Sequence, residues 1–119
     1  MSERCPTAGD MLMVVSDYRW QVLANARPAL VDVFLDDGVI RVEYVSAFPD
    51  RRPFAVWLGT ARDSEAARLR TSPTIRARVH DLLVAHGFKV RDLVELVVVV
   101  QSQETVDREY DGSWFYALR

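Results

Sequence analysis

Four groups of side chains in this sequence could do chemistry. The first is acidic: Glu104, Asp107, Glu109 and Asp111 gather near its C-terminal end. If the chain stays extended as far as Asp111, alternation puts Asp107, Glu109 and Asp111 on one strand face. Three carboxylates there could hold a divalent cation or share acid–base work. A charged hairpin that discourages edge-to-edge pairing would use the same residues.

The second group is the two histidines, His80 and His86, six apart. On a helix that spacing is about 120° of rotation, so they do not chelate one metal as an i, i+4 pair does. His80 next to Asp81 suggests a base with an orienting carboxylate, but adjacent helical residues do not face each other. Surface exposure and a favourable helix C-terminus account for both histidines.

Third come the arginines Arg68, Arg70, Arg76 and Arg78. Of these, Arg68, Arg76 and Arg78 are the candidate phosphate or ligand contacts, and the set could also meet an acidic partner. Asp63, Glu65 and Asp81 interrupt the patch, as on a solvated helix face. Stacking aromatics are not interleaved with it, so nucleic acid is not the expected partner.

The fourth group is aromatic. Trp57 opposes the apolar face of its own strand, and Trp114, Phe115 and Tyr116 are consecutive. On a strand the three cannot share one core: Trp114 and Tyr116 take one face and Phe115 the other. These four residues are the candidate partner-binding set. No G-x-S-x-G, glycine-rich phosphate loop, C-x-x-C or H-E-x-x-H occurs, so no catalytic residue, metal or cofactor is implied.

The elements that must position these groups follow from periodicity and punctuation. Residues 1–9 are small and polar and are expected to fray. Asp10 to about Arg27 carries helical spacing, with Pro28 as its stop. Leu30–Leu35 reads as a strand, Asp36-Asp37-Gly38 as a hairpin turn, and Val39 to about Phe48 as the returning strand. On that strand Ile40, Val42, Tyr44 and Phe48 are expected to share a face. Pro49 to Pro53 is a loop. Phe54–Thr60 is a third strand, with Phe54, Val56 and Leu58 on one face.

Arg62–Arg70 is a short helix. A second main helix starts at Ser72-Pro73 and runs to His86, with Gly87 ending it and Phe88 making a hydrophobic contact. Val94 to about Tyr110 and Ser113–Leu118 are the last two strands, joined at Asp111-Gly112. Leu96–Val100 is apolar on both faces, which suits a central strand or a dimer surface. The expected fold is one α+β domain over 1–119, ordered α-β-β-β-α-β-β. It has a five-stranded antiparallel sheet and two main helices.

Composition bounds the rest. The chain has 119 residues, 50% hydrophobic and 27% charged, enough for one core without staples. Its net charge of −2 argues weakly against obligate nucleic-acid binding. Within it, residues 62–92 carry +3 and residues 93–119 carry −3. The single Cys5 forms no internal disulfide, which suits a reducing, cytoplasmic setting. No apolar run is long enough for a signal-peptide core or a membrane span.

The element order resembles that of the type III secretion chaperone-like fold. The resemblance implies a small, homodimeric, cofactor-free protein that binds another protein. The expectation is a non-enzymatic bacterial interaction module: an adaptor, chaperone-like or immunity-like protein acting as a homodimer. The alternative is a ligand- or metal-binding domain, or a small enzyme, using the acidic C-terminal hairpin.

Overall fold

The apolar stripe of the opening helix continues straight through its proline. In the computed structural model, which describes residues 18–45 and 54–118, helix α1 spans Tyr18–Val33. Val22, Leu23, Ala26 and Leu30 are its buried residues, and Phe34, fully buried, follows four residues after Leu30. A proline inside a helix costs about 3 kcal/mol, because it lacks an N–H and crowds the preceding turn. Pro28 and Ala24 both lie on the exposed side, so the carbonyl left unpaired faces water. Burial of Leu30 and Phe34 outweighs that cost. Leu30–Val33 is therefore the last turn of α1 and not a strand, and Pro28 does not stop the helix. The expected first turns, residues 10–17, lie outside the described residues.

A 3-10 turn, Leu35–Asp37, ends at Gly38 with φ +93°, where its N–H bonds the Leu35 carbonyl at 3.0 Å. The Asp-Gly pair supplies the positive φ it was expected to supply. It joins a helix to a strand, however, and not two strands. Strand β1 (Val39–Val45) pairs antiparallel with β2 (Ala55–Thr60). The register slips between Val39 and Arg41, making Ile40 an extra residue at a bulge. Ile40 is accordingly 55% exposed and does not share the buried side of Val42. The rest of that expected strand, 46–48, and the loop 49–53 lie outside the described residues.

Between β2 and the third strand come α2 (Asp63–Arg70) and α3 (Ile75–Ala85). A crossover this long brings the chain back in the same direction. Strand β3 (Val97–Ser102) therefore lies parallel to β2, in the order β1-β2-β3. Among the described residues the sheet is three-stranded and mixed, not five-stranded and antiparallel. α+β stands as the class, but the element order behind the chaperone-like resemblance does not occur, and the resemblance falls with it.

Helix α3 begins at Ile75, later than Ser72-Pro73 suggests. Its end is as expected: Gly87 has φ +108°, and the Phe88 N–H reaches the Leu83 carbonyl at 2.9 Å. Phe88 then stacks on Phe54, ring centroids 5.4 Å apart.

The second half of the expected Val94–Tyr110 strand is helical. Ser102 ends β3, and its hydroxyl accepts the Thr105 N–H at 3.0 Å, capping α4 (Gln103–Glu109). Ser113 does the same for Tyr116 at 3.4 Å, starting α5 (Trp114–Ala117) where a strand was expected. Asp111 and Gly112, with φ of 54° and 78°, turn between two helices and not between two strands. The core lies on one sheet side, where Val42, Val56, Leu58 and Val100 meet Leu23, Leu30, Leu69, Val79 and Leu83. Among the described residues no helix is long and apolar enough to cross a membrane.

Candidate functional site

Alternation along three paired strands sends every second side chain away from the helices. On this side the registers build a grid of three rows. Arg41, Gly59 and Gln101 form the row nearest the ends of β2 and β3. Glu43, Trp57 and Val99 form the middle row, and Val45, Ala55 and Val97 the last. Trp57 does oppose Val56 and Leu58, as its sequence position implies.

Helix α5 covers only the first row. Gly59 has no Cβ, and one built there would lie 2.9 Å from the Trp114 ring and 2.7 Å from Arg41 Cγ. The indole thus rests on bare backbone. The Arg41 guanidinium stacks 4.8 Å from the Trp114 ring centroid, and the indole N–H donates to Gln103 Oε1 at 2.6 Å. Trp114, 7% exposed, is an internal anchor. Phe115 and Tyr116 follow it outward, 65% and 60% exposed, in an edge-to-face pair. Trp57 keeps its place on the open face. The structure therefore separates the four aromatics: one buried under α5, two on its outer side, and Trp57 on the sheet.

No described helix covers the other two rows. Val45 and Val97 are exposed, while Ala55, Trp57 and Val99 are half-buried. Among the described residues, the one charge on this strip is Glu43, held by Arg41 at 3.0 Å and by Arg27 at 3.8 Å.

A second cluster forms where the parallel strands end. Asp63, in the first turn of α2, accepts from the Ser102 hydroxyl in a short hydrogen bond and from Thr105 Oγ1 at 2.7 Å. Its other oxygen takes Arg108 at 3.1 Å. In return, Glu104 in the first turn of α4 accepts the Asp63 N–H at 2.6 Å. Each helix start thus carries a carboxylate that serves the other. The Ser102 and Thr105 hydroxyls, with Arg108, hold the Asp63 carboxyl down at about 2. Ser102 is fully buried with its hydroxyl committed, so it presents no nucleophile. The N-terminal ends of α2 and α4 are occupied from within.

The arginines are also engaged. Arg70 donates twice to the Val100 carbonyl, at 3.2 and 2.7 Å. Arg76 reaches the Leu96 and Leu93 carbonyls at 3.1 and 3.2 Å. Arg78 pairs with Asp37 at 3.3 Å and lies 4.3 Å from the Phe34 ring centroid. Arg76 and Arg78 thus turn to different neighbours, and a phosphate would have to draw both away. Arg68 sits exposed on α2.

The acidic segment is not a strand face. Asp107 accepts from Gln103 one helical turn back at 2.8 Å, Glu109 pairs with Arg108 at 3.6 Å, and Asp111 lies in the following turn. Among the described residues no three His, Cys, Asp or Glu side chains converge for a metal. His80 and Asp81 do meet, at 3.2 Å on the α3 surface, despite their adjacency. His86 turns back to the Leu82 carbonyl at 3.0 Å.

Sequence reasoning missed Arg27, Arg41 and Glu43, the charged group beside the open face. The alternation of β1 held the signal, since Arg41 and Glu43 flank Val42 on the side opposite the core. A cleft of about 450 Å³ runs along this outer edge, lined in part by Arg27, Val31, Ile40, Arg41, Glu43 and Gln103. No protein-family model, curated protein or solved structure matches this chain.

Proposed function

We propose that this protein is a non-enzymatic interaction module, acting as a homodimer, that docks an apolar segment of another protein on its open sheet face. The supporting observation is the strip of Val45, Ala55, Trp57, Val97 and Val99, which no described helix covers. Contiguous apolar surface left in water is costly and commonly marks a docking surface.

The geometry of the polar clusters supports the same reading. Serine, carboxylate and guanidinium converge at Ser102, Asp63 and Arg108, but each is spent on joining α2 to α4.

The test is comparative co-purification from the native host. Partner retained by the wild-type chain is lost by Trp57→Asp and by Val97→Asp, and kept by Arg68→Ala. Equal retention by Trp57→Asp, or no retained protein with the wild type, contradicts the reading.

A further inference from the structure

A sheet has two edges, and in this one they differ. The outer carbonyl of Val100 in β3 is taken by Arg70, and that of Leu96, just before the strand, by Arg76. On the outer side of β1, among the described residues, no strand is paired. The cleft described above lies alongside it. Unpaired strand edges are templates for another strand.

We propose that β1 pairs antiparallel with β1 of a second copy of this chain, about a two-fold axis at Val42. The two three-stranded sheets then form one sheet of six. This rests on the homodimer of the preceding reading and specifies the edge and the register that make it.

The register follows from charge. A two-fold perpendicular to the sheet keeps each face continuous across the join, so the axis must lie between the two copies of a single residue. Centred on Arg41, the pairing opposes two arginines; centred on Glu43, it opposes two glutamates. Like charges directly opposite destabilise a strand pair. Centred on Val42, Arg41 of each copy faces Glu43 of the other.

Within one chain Arg41 and Glu43 already touch at 3.0 Å. The Val42-centred pairing therefore closes a square of alternating charge. The same register sets Val42 of each copy opposite the other, β-branched against β-branched, within the regular stretch that follows the Ile40 bulge.

Arg27 is the side chain that must make way. It lies 5.0 Å from the Tyr44 ring centroid and 3.8 Å from Glu43, and is 46% exposed. These are loose contacts, and a rotated Arg27 still reaches the charge square.

Sedimentation of the full chain over a range of concentrations, at low salt, tests the proposal. The wild type is a dimer whose constant weakens with salt. Glu43→Arg, which sets arginine against arginine, weakens it roughly tenfold or more. This variant leaves the contact between Arg41 and Trp114 in place. Adding Arg41→Glu then tightens the dimer again by restoring opposite charges, with circular dichroism confirming that both variants fold. Val97→Asp, on β3 at the far side of the sheet, leaves the dimer constant unchanged. A monomeric wild type overturns edge pairing, as does a double variant weaker than Glu43→Arg alone. Loss of the dimer with Val97→Asp and not with Glu43→Arg puts the second copy on the open face. That outcome overturns the edge and leaves the interaction reading standing.

Discussion

The two edges of this sheet meet the same physical problem with opposite solutions. Along β3, Arg70 and Arg76 extend from α2 and α3 to the carbonyls of Val100, Leu96 and Leu93. Along β1, the nearest guanidinium, Arg27, lies against a ring and a carboxylate. On one edge the carbonyls of Val100 and, just before the strand, Leu96 are taken by charge-assisted hydrogen bonds, and the other edge carries complementary charges of its own. Arginine at a strand edge is thus not one signal. A guanidinium on a backbone carbonyl ends the sheet, whereas one beside a carboxylate leaves it open to extension.

The largest test of that contrast removes the closure. Arg70→Ala with Arg76→Ala leaves largely buried carbonyls without donors. The expected loss is about 3 kcal/mol in chemical denaturation, from bonds worth roughly 1.5–3 kcal/mol each that do not fully add. The double variant should also associate beyond the dimer, because β3 becomes a second open edge. Light scattering that shows no larger species would remove the capping role from the account.

Next in size is Gly59→Ala in the central strand. The added methyl meets the Trp114 ring at 2.9 Å and Arg41 Cγ at 2.7 Å, and should cost roughly 1–3 kcal/mol by thermal or chemical unfolding. In a Trp114→Ala background the penalty should shrink, since the ring is one of the two obstacles. A penalty unchanged by that substitution would place the conflict with Arg41 alone, and so on the β1 side of the sheet.

A third prediction concerns pH at the end of β3. Asp63 has a carboxyl held down at about 2, against an ordinary value near 3.8, first by the Ser102 hydroxyl and then by Thr105. Its folded value lies below its unfolded one, so its stabilisation is complete above the unfolded value. It is lost as pH falls from about 4 through 2. Unfolding midpoints should drop over that window, and Asp63→Asn should flatten the drop. Equal slopes in the two proteins would contradict the capping geometry at α4.

Least of all, Arg68→Ala should change stability by no more than about 0.5 kcal/mol, as surface substitutions do. Set beside Arg70→Ala, it separates carbonyl capping from net charge on the same helix.

Legibility in the sequence tracked how local the deciding interaction was. The end of α3 was readable because Gly87 and Phe88 sit next to the turn they make. The alternation of Phe54–Thr60 was likewise local, so the faces of Val56, Trp57 and Leu58 came out correctly.

The first helix was misread because Pro28 is a strong local signal, and only burial of Leu30 and Phe34 against distant strands overrules it. The C-terminal segment was misread because valines up to Val100 promote a strand, while Ser102 and Ser113 act as helix caps only once the backbone turns. Both serines stand where helix-start signals belong, and the sequence-level weight given to alternation and to Asp-Gly hid them.

The arginines show the other limit. Their spacing suggested an anion site, but the carbonyls that two of them serve lie on β3 or in the segment leading into it, many residues away. Trp57 was expected opposite the apolar face of its strand, and Leu96–Val100 on a strand apolar on both faces. Phe115 belongs instead to a helix, and which rows of the face stay open depends on where Trp114 lies.

Amide hydrogen exchange read strand by strand at rising protein concentration tests the two-edge account most directly. The account predicts that amides of β1, in Val39–Val45, slow at least tenfold between micromolar and several hundred micromolar protein. Those of β3, in Val97–Ser102, should keep the same rates. Exchange in β1 that ignores concentration, or slows equally in β3, would contradict it.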